Sequence, residues 1–180
     1  MGPHKLEQQV AAHIGHTLLA GWKACYDRDA IARGGGPTAE GIGTGEVLRQ
    51  LGGHFITIEA GVHGDPSSEI VALRDIKTVM RYFGIMASGN NAPPKNTPIQ
   101  VAVMNSIIRA KGSDDKLNDN LHTLMAVNEG QIIGKRGNNE DIVAPITGVV
   151  VFPKRPPLVA KGKELCYFAT VTDFIKYTCG

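Results

Sequence analysis

The run His54-Phe55-Ile56-Thr57-Ile58-Glu59-Ala60 narrows the fold more than any other stretch of the chain. Phe, Ile and Thr favour pleated backbone, and apolar side chains fall on both faces of the run, with Thr57 alone interrupting them. A strand apolar on both sides suits a sheet flanked by helices on both sides. After the loop Val62–Ser67, residues 68–83 carry a helical pattern. Ile70/Val71, Ile76, Val79/Met80 and Phe83 form its apolar stripe, and Gly84 is placed as its C-terminal stop. Strand, loop and helix in that order predict a unit of an α/β sheet. Upstream, 6–26 reads as a helix weakened by two glycines, with a break expected near Gly15 or Gly21, 33–45 as a glycine-rich loop, and 45–51 as a short helix.

Residues 87–98 (ASGNNAPPKNTP) replace periodicity with Asn, Gly, Ser and Pro and read as a linker. Beyond it the texture changes. Ile99–Met104, Ile107–Ala110, His122–Val127, Gln131–Gly134, Ile142–Ala144, Gly148–Phe152 and Leu165–Val171 are short, β-rich and separated by turn residues. The expected fold class is therefore α/β: part of an α/β domain over 1–88, a linker at 89–98, and a small all-β module over 99–180. Within that module the order Gly130…Gly134, Ala144-Pro145…Gly148, Gly162…Leu165 is the pattern of lipoyl- and biotinyl-type barrel-sandwich modules, each Gly supplying a positive-φ turn. A swinging-arm carrier needs a flanked Lys at the hairpin tip. The tip here, Lys135-Arg136-Gly137-Asn138-Asn139, lacks the flanks.

Charge and composition remove other classes. Lys and Arg number 19 against 17 Asp and Glu, and no basic run exceeds two residues, so neither nucleic acid nor an anionic membrane surface is an expected partner. No apolar run approaches the ~18–20 residues of a membrane span, and the N-terminus lacks the charged-then-apolar order of a secretory signal. Three cysteines, Cys25, Cys166 and Cys179, with no CxxC pair, fit small buried hydrophobes and a cytoplasmic setting better than a disulfide framework.

Glu59 is the leading candidate for chemistry. A carboxylate at the carboxyl end of a buried strand, followed by Ala60-Gly61, stands where α/β sheets place their sites, and it suits a general base. Arg49, ten residues earlier, suits a substrate carboxylate through paired N–H donors; the alternative is an ordinary surface arginine. His63-Gly64-Asp65 adjoins Glu59 and is expected to line the same cleft. His13 and His16 stand three apart on a helix, and His4-x-x-Glu7 has a metal-ligand spacing at the extreme terminus. The Gly34–Gly36 and Gly41–Gly45 stretch lacks the GxxxxGK[ST] of a phosphate loop and reads as a plain loop.

Three blocks in this order resemble the succinylglutamate desuccinylase/aspartoacylase family: Gly52-Gly53-His54-Phe55-Ile56-Thr57-Ile58-Glu59-Ala60-Gly61, the helix ending Arg81-Tyr82-Phe83-Gly84-Ile85, and Ala144-Pro145-Ile146-Thr147-Gly148-Val149-Val150. The resemblance covers about residues 40–170. It implies a partial zinc-carboxypeptidase-like α/β domain and a zinc-dependent deacylase cleaving the amide of a small N-acyl amino acid. Glu59 would be the base and Arg49 the carboxylate clamp, with zinc held by an H-x-x-E pair and a further His. Only 58 residues precede Glu59. The expectation is thus of a C-terminal portion without its own recognisable zinc ligands. The alternative is a non-catalytic binding or assembly module derived from such an enzyme, whose incomplete sheet edge invites a homo-oligomer.

Overall fold

The computed structural model describes residues 5–61, 64–87 and 100–173. They fall into two compact units, one drawn from residues 1–18 and 42–100 and the other from 19–41 and 101–180.

The first unit holds three helices: α1 (Lys5–Ile14), α3 (Thr44–Gln50) and α4 (Pro66–Tyr82). The ends of α4 follow from single residues. Asp65 is its N-cap and accepts the Ser67 N–H at 2.8 Å, and Pro66 fills the first turn, where no N–H is needed. Gly84 leaves the helix at φ +69°, with its N–H on the Arg81 carbonyl at 3.0 Å. Helices α1 and α4 lie side by side. Asp75 of α4, 1% exposed, meets His16 Nε2, two residues past the end of α1, at 2.8 Å and is also held by Arg74 Nε of its own helix at 2.9 Å.

One expectation changes here. Residues 54–60 join no ladder among the described residues, and Phe55, Ile56 and Ile58 are half-buried rather than enclosed. Their composition favours pleated backbone, but a strand exists only when a neighbour takes up its N–H and C=O groups. This unit offers no such neighbour among its described residues.

The helical reading of 6–26 also divides. Gly15 and Gly21, both at φ +82°, bracket a three-residue strand, β1 (Leu18–Ala20), before α2 (Trp22–Ala32) begins with Gly21 as its N-cap. The two glycines end one helix and start another, because a left-handed residue cannot sit inside an α-helix.

The second unit is a β module with α2 packed on it. Its strands are β2 (Gln100–Arg109), β3 (Lys116–Leu117), β4 (Ala126–Val127), β5 (Ile132–Lys135), β6 (Asp141–Val143), β7 (Gly148–Val151) and β8 (Glu164–Asp173). With β1 they form a five-stranded sheet in the order β1-β2-β8-β7-β4 and a three-stranded sheet β3-β5-β6. Strands β7 and β8 pair antiparallel with Val149 opposite Ala169, Val150 opposite Phe168 and Val151 opposite Tyr167. Alternation sends Val150, Phe168 and Cys166 to one core with Leu117, Ile133, Ile142 and Leu165. Val149, Val151, Tyr167 and Ala169 go to a second core with Cys25 of α2, Ala102 and Met104. One hairpin therefore serves two cores. Cys25 and Cys166 are free and fully buried, and burial pushes the Cys166 thiol up to about 12.

The module's glycines divide into two kinds, where the sequence suggested one. Gly130 and Gly162 do turn at φ +77° and +78°. Gly134 and Gly148 are required by close approach instead: a Cβ would strike the Lys116 carbonyl oxygen at one and the Ala169 carbonyl oxygen at the other. Gly148→Ala should then cost about 1–3 kcal/mol, because neither strand can yield without breaking its ladder. A urea titration would read this as a lower midpoint at constant slope. An unchanged midpoint would mean that β7 and β8 separate freely.

Candidate functional site

The candidate site is built on the extended run that carries Glu59. Helix α3 ends at Leu51, and Gly52 (φ +83°) and Gly53 reverse the chain, with the Gly53 N–H on the Leu48 carbonyl at 2.9 Å. The reversal brings Phe55 back beside Arg49 in the last turn of α3, and the Phe55 ring lies where a Cβ on Gly45 would stand. Ile56 and Ile58 then line an apolar groove of about 250 Å³ with Leu6 and Val10 of α1, Val79 of α4 and Phe83. Glu59 comes out at the far end, exposed. Gly61 follows at φ +132°, and any Cβ there would meet the Ser68 hydroxyl.

The polar centre of this unit is an ion pair between elements 42 residues apart. Glu7 of α1, 3% exposed, receives Arg49 Nε on both carboxylate oxygens at 2.9 Å and the Phe55 N–H at 2.7 Å. Arg49 Nη2 donates to the Phe55 carbonyl at 2.9 Å, and Nη1 to Glu46 Oε1 at 2.7 Å. Burial works against the Arg49 charge. The hydrogen bonds and charges of Glu7, then Glu46, outweigh it and lift the guanidinium above its ordinary pKa. At least three of its five N–H donors are thus committed within the protein.

The structure therefore brings Arg49 to the start of the 54–60 run and Glu59 to its end. His63 lies outside the described residues, as does His4. Glu7, which the sequence placed in a terminal H-x-x-E spacing, is instead the buried partner of Arg49. No local pattern signals a pairing over 42 residues. The available hint was an acidic residue set between Leu6 and Val10 on the apolar stripe of α1.

The zinc that the resemblance implies finds no donor set among the described residues: no group of three or more His, Cys, Asp or Glu is gathered there. Glu7 is bound to Arg49 and Phe55, His16 to Asp75 and Arg74, and His13 lies against the Tyr82 ring with centroids 5.2 Å apart. These donors do not fit a zinc ion. No described helix is long and apolar enough to cross a membrane.

No protein-family model matches the chain, and no curated protein matches it in sequence. Solved structures do. A succinylglutamate desuccinylase/aspartoacylase from Rhodobacter sphaeroides aligns with a TM-score of 0.51 at 13% identity, over 92% of this chain and 49% of its own. The product-bound ectoine utilization protein EutE (DoeB) from Ruegeria pomeroyi aligns with a TM-score of 0.52 at 15% identity, over 69% of this chain and 41% of its own. The chain spans about half or less of the length of these structures. At such identities the likeness is one of fold. In fold, this chain resembles the structures of the succinylglutamate desuccinylase/aspartoacylase family, the same family that its three sequence blocks resemble.

Proposed function

We propose that the chain is part of a deacylase that hydrolyses the amide bond of a small N-acyl amino acid, with Glu59 as general base. The observation that carries this reading is the placement of Glu59, an exposed carboxylate at the end of a segment anchored by an ion pair and an apolar groove. On this reading the first unit is a partial zinc-carboxypeptidase-like α/β domain and the second, which takes in residues 19–41, a barrel-sandwich-like module, and the chain works in the cytoplasm. The likeness in fold supports the family.

The chemistry asked of Glu59 balances simply. Water adds through oxygen to the amide carbonyl carbon while Glu59 takes one of its protons. The proton then passes to the amine nitrogen as the C–N bond breaks, leaving a carboxylic acid and a free amine. Arg49 has at most two N–H donors beyond those committed to Glu7, Glu46 and Phe55, and these are the ones that would face a substrate carboxylate. His63, four residues beyond Glu59 in the sequence, is proposed as a further substrate-binding residue. Because the described donors do not fit zinc, the proton path proposed for Glu59 is confined to this chain's own groups.

Release of free amine from N-acetyl and N-succinyl amino acids, with and without added zinc chloride, tests the proposal. Amine release proportional to protein concentration is expected. Its absence over the whole panel would favour the second reading, a non-catalytic assembly module. The 54–60 run, which joins no ladder among the described residues, and the exposed Leu51, Ile70 and Leu73 of the first unit speak for that one.

A further inference from the structure

Phe55 sits in no ladder, yet both of its backbone polar groups are taken: its N–H by Glu7 Oε1 at 2.7 Å and its C=O by Arg49 Nη2 at 2.9 Å. Both groups face one side of the segment, because the two side chains that hold them are bonded to each other. Glu7 and Arg49 are themselves joined at 2.9 Å, which closes a ring of three charge-assisted bonds around one residue of backbone. A neighbouring strand would supply one acceptor and one donor at that place. Here two side chains from two helices supply them.

We propose that Glu7 is a positioning residue. With Arg49 it stands in for a strand along the edge of 54–60 and fixes the direction in which Glu59 leaves that segment. The proposal rests on the reading of Glu59 as the base. Glu59 is four residues on from Phe55, at most about 13 Å along the chain, and between them Ile56 and Ile58 form part of the wall of the apolar groove. Apolar burial of the half-buried Ile56 and Ile58 resists lifting of the segment but, being non-directional, does little against sliding or rotation. The directional constraint comes from the Glu7–Arg49 bracket. Glu7 is nine-tenths and more buried and 42 residues from its arginine, so it brings α1 and α3 to bear on the same peptide unit.

Amide hydrogen exchange by NMR on the full chain reads this without any turnover, so its failure is distinct from failure of the deacylase reading. In the wild type the Phe55 amide should exchange far more slowly than an open chain. Glu7→Gln keeps the shape and removes the charge. It should speed exchange at Phe55 at least tenfold, raise the rates through to Glu59, and shift the Glu59 carboxyl carbon resonance. Glu46→Gln removes the other carboxylate on Arg49 without touching Phe55, and should change these rates less than threefold and leave the Glu59 resonance in place. Equal effects in the two variants, or an unprotected Phe55 amide in the wild type, would overturn the proposal. Should Glu7→Gln fail to fold, Arg49→Lys asks the same question. A lysine holds Glu7 but cannot also reach the Phe55 carbonyl as a planar fork does, so faster exchange over 55–59 is again expected and unchanged exchange counts against the bracket.

Discussion

Glu59→Gln should lower turnover of an N-acyl amino acid by about 10²–10⁴-fold, the range over which a positioned acid–base group acts, while leaving the fold intact. The two halves of that expectation have separate physical origins. Glutamine fills the same space and offers an amide oxygen, but at neutral pH it cannot take a proton from water, so the first step of amide attack loses its base. Stability should be untouched because Glu59 is exposed, and among the described residues no hydrogen bond or ion pair holds its side chain. Substitutions at such positions stay within about 0.5 kcal/mol. Thermal melts of both proteins alongside initial rates, in this chain or a longer polypeptide containing it, make the comparison. A melting temperature held constant with turnover lost assigns Glu59 to the chemistry. Turnover at the wild-type rate would remove it, and a fall in both together would mean that its role is structural.

What the sequence made legible was local. The apolar stripe and Gly84 gave 68–83 for a helix that runs from Pro66 to Tyr82, whereas Asp65 and Pro66, read as loop, are the residues that start it. In the β module, strand positions were legible because unbroken apolar runs at Val149–Val151 and Leu165–Ala169 are what a hairpin between two cores requires. At 54–60, composition reported a preference for extended backbone and nothing about a partner. Pairing depends on residues elsewhere, which propensity does not contain. The Glu7–Arg49 bracket was out of reach for the same reason. A carboxylate at position 7 and a guanidinium at 49 become neighbours only after α1, α3 and the Gly52-Gly53 reversal are in place. Gly148 shows a subtler miss. The turn reading was reasonable for a glycine between short strands, but the need is set by a carbonyl 21 residues away on β8.

The largest single loss of stability is expected at Asp115, which the sequence did not mark. This aspartate, 2% exposed, receives the Lys111 N–H and Arg136 Nη1 on Oδ2, each at 2.7 Å, and the Gly137 N–H on Oδ1 at 3.1 Å. One carboxylate thus closes the turn after β2 and fastens it to the turn between β5 and β6. Asp115→Ala would leave two backbone N–H groups without their acceptor and the largely buried Arg136 guanidinium with only the Arg109 carbonyl on Nη1, a loss of about 3 kcal/mol, the lower end of the usual cost of breaking a buried pair from one side. Asp115→Asn keeps one oxygen and the volume but not the charge, and should lose roughly half as much. The pH dependence has a definite sign. Burial pushes the Asp115 carboxyl up, but the hydrogen bond from Arg136, then those from the Lys111 and Gly137 backbones, outweigh it, so its folded pKa lies below the ordinary aspartate value. A depressed carboxylate contributes its stability above the unfolded pKa, near 3.9, and loses it as pH falls through the folded value. Denaturant midpoints of wild type and Asp115→Asn should therefore differ most at pH 5–7 and converge in acid. Midpoints equally far apart at every pH would assign the effect to lost shape, and coincident midpoints at pH 7 would mean that the two turns hold together without this carboxylate.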